Sequence, residues 1–545
     1  MRRQKWFRTR SYRGSILADD SEEPTQRRTQ TCSAVFTSSV ATVSGPNDGH
    51  RSQTMKSASI TKRTILCLAF LLVLVGVVLR FLMIREPFGV VNSDEAVAGL
   101  MARGIRDGHF TSFYWGQNYG GSFEAYVLAI LGLVIPEHIV FFFLPIIESI
   151  LIAFLLFHIS KENLGRDLSL LVASLSFVFP ALNVWNSARP MLFYQSTIIL
   201  GLTAILIVSK KIRPISTSNW IFLGALFGFG WWGSAQSLFF IVPCLLTVLA
   251  LRNFPSIRQF GLAIVSFLLA SGPWWYTNFH TGFASLSEGP PADGTIRDHL
   301  VTQLKIGWPS VVGLRQPFNG EWLHASLPFV FLILLVGSAI YYLPRMFRDR
   351  RNPNPLLLVI PTFVVLQALA PTGSFIGSGR YYIFVVPSVL VVTGTFFAYL
   401  VNRFDRIGKF VVASLVICAL ISTAVSLRAI RHFQFGPTHL SDVATALNER
   451  DISGVYGDYW VVYALAWEDS QLKVSPTSTD RRPDWSQEIR ASQDVAYVFW
   501  TEYSVDLDKL ESTKVALGLK TEFDEILVGT YVLLIPQLNI PPEDL

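Results

Sequence analysis

Apolar residues fall in long blocks, and clusters of arginine and lysine lie between many of them. The first block, about 64–84, is long enough to span a bilayer, shows no cleavage-site pattern and follows Lys62 and Arg63. It predicts an uncleaved anchor entering from the cytoplasmic side. Ten more blocks follow at 138–158, 168–182, 191–209, 219–234, 236–251, 260–276, 326–343, 355–370, 382–401 and 410–427. The pattern predicts an α-helical polytopic membrane protein of about eleven transmembrane helices.

The charge in the linkers supports that count. From an inside start, linkers 161–166, 210–213, 252–258, 345–351 and 403–409 all fall on the cytoplasmic side, and each carries Lys or Arg. Cytoplasmic loops are enriched in these residues. The outside linkers 85–137, 183–190, 277–325 and 371–381 are poorer in them for their length, and position 235 reads as a tight hairpin. The apolar run Phe123 to Ile135 is too short for a span and predicts an interfacial or re-entrant helix. Counting it as a span would invert every later loop.

Past residue 427 the pattern changes. Strand-like runs at 455–462, 495–500 and 531–535 alternate with helical runs at 438–449 and 506–517. Residues 428–545 therefore predict a small extracytoplasmic α/β domain. Residues 1–63 predict a basic cytoplasmic leader, disordered over 1–59, which are polar and aperiodic. Met55, just before the basic anchor flank, is a second candidate start of translation. The three regions are thus 1–63, a membrane module 64–427 with outside loops 85–137 and 277–325, and 428–545.

Composition excludes a soluble protein. The chain has 545 residues, 51% of them hydrophobic and 15% charged, against about 25% charged in ordinary soluble chains. Mean hydropathy is +0.41. The isoelectric point near 9.0 would fit a nucleic-acid binder, but the charge is in the wrong places. Residues 1–63 carry a net +7, residues 64–427 a net +8, and residues 428–545 a net −9. That distribution orients membrane segments, so nucleic acid is excluded as a partner.

Classical motifs are missing. Of the cysteines Cys32, Cys67, Cys244 and Cys418, the last three lie in apolar runs, and no pair has metal-ligand spacing. The histidines are scattered, which argues against zinc. No phosphate-cradling glycine loop and no nucleophile elbow occurs.

The first outside loop carries the candidate chemistry. Asp94 and Glu95 lie about ten residues beyond the first span. Such a pair could deprotonate a hydroxyl or bind a divalent cation. The plainer reading is that Ser93 or Asp94 caps a helix over 95–106, with Glu95 in its first turn. Tyr114, Trp115 and Tyr119 follow, with Gly116, Gly120 and Gly121 among them. These rings suit either the headgroup zone or stacking on a sugar. Arg189 and Arg380 are lone cations at the outer surface, placed to hold a phosphate at headgroup depth or to snorkel to lipid headgroups. Glu148 is the one clear carboxylate deep in a predicted span.

Several strings together resemble the C-type glycosyltransferase superfamily, and within it the bacterial group of protein O-mannosyltransferases and aminoarabinose transferases. They are Ser93-Asp-Glu-Ala with Gly99-Leu-Met-Ala, Trp115-Gly-Gln-Asn-Tyr-Gly-Gly-Ser-Phe-Glu-Ala-Tyr, Gly230-Trp-Trp-Gly, Pro273-Trp-Trp-Tyr-Thr-Asn, Gly379-Arg-Tyr-Tyr and Gly457-Asp-Tyr-Trp-Val-Val-Tyr. The resemblance covers about residues 64–535. It implies a polyprenyl-phosphate sugar as donor and a protein, lipid or polysaccharide hydroxyl as acceptor, with inversion at the anomeric carbon. It implies Asp94 as base with Glu95 beside it. Arg380 and Arg189 would be donor-phosphate contacts, and Tyr114, Trp115, Tyr119, Glu124 and Tyr381 would line the substrate site. The carboxylates could hold a divalent cation, and no other cofactor is implied. In place of the basic first-loop cluster of some relatives, this chain has Arg103 and Arg106.

Two other classes fit the hydropathy. A transporter or lipid flippase needs ionisable residues along its spans, and a membrane sensor would tolerate neutralisation of Asp94.

Overall fold

Helix Asp48–Met83 opens the described part of the chain. In this computed structural model the structure describes residues 48–85, 89–209, 214–287, 294–315, 354–370, 379–430 and 436–545, with Trp322, Gly337, Ile340 and Tyr341. The expected span 326–343, most of the leader and the basic linkers 210–213 and 345–351 lie outside the described residues or nearly so. Residues 58–545 form one compact unit.

Among the described residues, three helical stretches are long and apolar enough to cross a membrane: Ile65–Met83, Glu137–Leu164 and Gly379–Ile430. Phe70, Leu74 and Val78 stand exposed on the first, as a lipid-facing surface requires. Four shorter apolar helices, Tyr194–Val208, Ala235–Ala250, Ile257–Ala270 and Pro355–Ala368, have 10–17 residues. Among the described residues these helices do not amount to the eleven full-length spans expected from the sequence. The run 168–182 breaks into helices Arg166–Leu175 and Ala181–Asn186, with Pro180, which lacks an N–H, at the junction. The run 260–276 breaks between Ile257–Ala270 and Gly272–Thr281, where Pro273 begins the new helix. Runs 382–401 and 410–427 fall in two helices of the stretch Val386–Ile430, which part at Asp405, where the backbone is not helical. Hydropathy counts apolar length and cannot see such breaks.

The apolar run after Ser122 is a helix of only 9 residues, Phe123–Leu131, in keeping with a segment that does not span. The membrane-side core is built on Leu156, Val178, Leu202, Phe240, Phe363 and Phe384.

The tail is an α/β unit. Its strands are β1 (Gly454–Gly457), β2 (Lys473–Pro476), β3 (Val495–Trp500), β4 (Phe523–Val528) and β5 (Tyr531–Pro536). The sheet order is β2-β1-β3-β5-β4. β1 pairs parallel with β2 and β3, whereas β5 pairs antiparallel with β3 and β4. Gly529, at φ +59°, supplies the left-handed turn between β4 and β5. The strand expected over 455–462 ends at Gly457. Asp458 there accepts from the Trp460 N–H at 3.0 Å and starts helix Tyr459–Glu468. That N-cap was hidden by the apolar run behind it.

The tail shares a core with the first outside loop. Ala96, Val97, Met101 and Ala125 pack with Val443, Val462, Leu465 and Leu533. Helix Ser93–Arg106 meets helix Tyr459–Glu468 so closely at Gly99 that a Cβ there would overlap the Trp467 ring. The tail is thereby held directly over the carboxylates of the loop.

Candidate active site

Helix Ser93–Arg106 is capped by Asn92, not by Ser93 or Asp94 as expected. The Asn92 Oδ1 accepts from the Glu95 N–H at 3.0 Å, and the Glu95 Oε2 accepts from the Asn92 N–H at 3.2 Å. This capping box points Asp94 and Glu95 in different directions.

Glu95 points inward. It is 2% exposed and takes a two-pronged ion pair from the Nε and Nη2 of Arg189, itself 3% exposed. The same guanidinium donates to the Val90 carbonyl and lies 4.8 Å from the Trp185 ring centroid. Arg189 is thus not among the residues that line the cleft, and Glu95, at the cleft wall, is its buried counter-ion. A charge in that position must be paired, because an unpaired one is too costly to bury.

Asp94 points outward into a cleft of about 500 Å³. The Tyr459 hydroxyl donates to its Oδ1 at 2.6 Å. The Arg380 Nη1 lies 4.0 Å from its Oδ2, and the two side chains are 40% and 35% exposed. The Tyr114 hydroxyl donates to the Asp94 carbonyl at 2.7 Å, which fixes the start of the helix against the loop. Burial, then the Asp94 charge, raises the Tyr459 phenol well above its usual pKa, so Tyr459 stays a donor at neutral pH.

Around Asp94 the cleft is lined by Tyr114, Gln117, Tyr119, Phe193, Tyr194, Arg380, Tyr381, Tyr459, Trp460, Ser478, Thr479 and Arg481, among others. Tyr114, Tyr119 and Tyr381 therefore stand where the sequence placed them, and Arg380 lies 5.0 Å from the Tyr381 ring centroid. Trp115 and Glu124 do not line the cleft. Trp115 turns into the tail, 6.2 Å from the Trp485 ring and 4.4 Å from the Arg482 guanidinium. Glu124 is buried and accepts from the Phe193 and Ser196 N–H groups at 2.9 and 3.1 Å. It thus holds the start of helix Tyr194–Val208, and burial raises its pKa to about 7. Arg103 and Arg106 both pair with Glu137, at 2.9 and 3.1 Å, and do not line the cleft.

Sequence reasoning missed Tyr459 and Arg481 as site residues. Arg481 lies over the rings of Tyr114 and Tyr459, at 5.2 and 5.4 Å. Burial opposes its charge, but Tyr459, Tyr114 and Asp94 outweigh that and raise its pKa. Its signal was the pair Arg481-Arg482 in a tail of net charge −9.

The divalent cation considered from the sequence does not fit these residues. Its two carboxylates are parted: Glu95 is used by Arg189, and Asp94 meets a guanidinium and a phenol. Among the described residues no group of three or more His, Cys, Asp or Glu could hold a metal ion. The cleft instead combines one accessible carboxylate, two cations and several aromatic rings. That set suits removal of a hydroxyl proton beside a bound phosphate.

By sequence, no family model matches the chain, and no curated protein matches it. The fold, however, is similar to that of solved membrane glycosyltransferases. It superposes on ArnT, the aminoarabinose transferase, from Cupriavidus metallidurans in the apo state, with a TM-score of 0.56 and 11% identity, over 86% of this chain and 97% of that one. For ArnT bound to undecaprenyl phosphate the TM-score is 0.54 and the identity 11%, over 86% and 98%. An oligosaccharyltransferase of Archaeoglobus fulgidus, in complex with zinc and sulfate, gives a TM-score of 0.48 at 13% identity, over 79% and 67%.

Proposed function

We propose that this chain is a membrane glycosyltransferase of the cell membrane. It takes a sugar, a hexose or a relative of one, from a polyprenyl-phosphate donor and transfers it to a hydroxyl of a protein, lipid or polysaccharide on the extracytoplasmic face. The carrying observation is the Asp94 carboxylate, held by the Tyr459 hydroxyl at 2.6 Å, open to the cleft and 4.0 Å from Arg380. The shared fold with a protein bound to undecaprenyl phosphate supports the choice of donor.

In this reading Asp94 accepts the proton of the acceptor hydroxyl. The oxygen attacks the anomeric carbon from the face opposite the phosphate, a new C–O bond forms, and the sugar–phosphate C–O bond breaks with inversion. The electron pair leaves on the phosphate oxygen, where Arg380 stabilises it. Tyr114, Tyr119 and Tyr381 offer ring faces and hydroxyls to the sugar. Membrane lipids surround the apolar helices and deliver the polyprenyl chain laterally.

The test is transfer from a polyprenyl-phosphate hexose by the full chain in nanodiscs. Asp94→Asn lowers turnover by about a hundredfold or more while melting temperature is kept. Wild-type turnover in Asp94→Asn overturns the mechanism on this loop and favours the transporter or sensor readings.

A further inference from the structure

The cleft is lined by two guanidinium groups from distant parts of the chain. Arg380 lies near the start of the segment Gly379–Val385, and Arg481 lies between β2 and helix Pro483–Ala491 of the tail. Arg481 is held firmly. Its backbone N–H donates to the Tyr463 hydroxyl at 2.7 Å, and its guanidinium spans the rings of Tyr114 and Tyr459. With the Gln117 amide turned so that its oxygen faces the guanidinium, that oxygen accepts from Nη1 and Nη2 at 2.6 and 2.9 Å. Even so, the Nε of Arg481 and the Nε of Arg380 are both buried without a hydrogen-bond partner.

We propose that Arg481 is a second donor-phosphate ligand, supplied by the C-terminal domain, which takes the charge that the leaving phosphate gains. The inference rests on the glycosyltransferase reading above. The donor is a phosphodiester with one negative charge. When its C–O bond to the sugar breaks, the electron pair stays on the phosphate, which becomes a dianion, and the acceptor proton neutralises Asp94. The cleft charges then match at both ends. Asp94 and the donor balance Arg380 and Arg481 before transfer, and the dianion alone balances them after it. With Arg380 as sole cation, the product state would carry an uncompensated negative charge in a half-buried site. Glu95 and Arg189 do not alter this count, because Glu95, at the cleft wall, is neutralised by the buried guanidinium behind it. The tail is therefore part of the reaction centre and not only a cover over it.

The test uses the full chain in nanodiscs, with two readouts: transfer from a polyprenyl-phosphate hexose, and direct binding of sugar-free polyprenyl phosphate. Arg481→Gln is expected to lower kcat about a hundredfold and to weaken polyprenyl phosphate about tenfold, with a much smaller change in donor KM. Arg481→Met keeps the stem between the two rings and gives the same answer if the glutamine variant fails to fold. Arg481→Lys restores part of the loss, since it keeps the charge without the fork. Wild-type binding of polyprenyl phosphate by Arg481→Gln or Arg481→Met overturns the proposal. If Arg380→Gln still loses that binding, the glycosyltransferase reading survives without Arg481. If the wild-type chain neither binds polyprenyl phosphate nor transfers from its sugar, both fall together.

Discussion

Asp94 and Glu95 are consecutive carboxylates, each near an arginine, yet they sit in opposite environments. Glu95 and Arg189 are 2% and 3% exposed and joined through two atoms each. Asp94 and Arg380 are 35% and 40% exposed and 4.0 Å apart. The buried pair is committed, because either partner alone would be an uncompensated charge away from water. The open pair is loose. Exposed pairs contribute only about 0–1 kcal/mol, so Arg380 can leave Asp94 for a phosphate and Asp94 can receive a proton. Accessibility, more than residue type, separates the carboxylate locked in a buried pair from the one open to the cleft.

The largest effect that bears on this contrast is in stability. Glu95→Gln strands Arg189 in the core and should cost about 3–5 kcal/mol, read as a large fall in melting temperature or as lost expression. Asp94→Asn should change stability by about 1 kcal/mol or less while removing turnover. The reverse pattern would break the comparison. Next is the open pair's cation. Arg380→Ala should weaken polyprenyl phosphate about tenfold to a hundredfold, the scale of a hydrogen bond to a charged group, with Arg380→Lys between it and wild type. Equal affinity in all three proteins would remove Arg380 as a phosphate ligand.

A smaller effect sharpens the picture around Asp94. Tyr459→Phe deletes the 2.6 Å donor to Oδ1 and should lower turnover about tenfold with little change in melting temperature. Unchanged turnover would make that contact incidental.

The smallest effect comes from a buried carboxylate with no guanidinium fork. Asp506 is 1% exposed and accepts from the Trp500 N–H at 3.0 Å. Burial raises its pKa from 3.8 to about 6. The folded chain therefore holds this proton more tightly than the unfolded chain. Its stabilising contribution is complete below about pH 4 and is lost as pH rises through about 6. Asp506→Asn should flatten the dependence of melting temperature on pH between those limits. An unchanged slope would show that the burial of Asp506 is not felt.

Much of the fold was legible in the hydrophobic pattern. The helical membrane segments, the short helix Phe123–Leu131, the strands Val495–Trp500 and Tyr531–Pro536 and helix Ser504–Gly518 all follow from local periodicity. What failed were boundaries set by single polar groups or prolines. Asn92, not Ser93, caps helix Ser93–Arg106, Asp458 ends β1, and Pro180 and Pro273 divide apolar runs that read as continuous. Strands β2 and β4 were missed because each is short or bounded by charges.

By itself the sequence determined that this chain is a membrane protein with an acidic α/β tail, and that Asp94, Arg380, Tyr114, Tyr119 and Tyr381 were candidates for one site. Composition and periodicity are properties of neighbouring residues, so they survive without coordinates. Only the tertiary structure decided that Glu95 pairs with Arg189, that Trp115 and Glu124 face away from the cleft, and that Tyr459 and Arg481 enter it from more than 360 positions downstream. Those choices depend on which side chains share a low-dielectric interior, and that is fixed by the packing of distant helices against each other, not by their order along the chain.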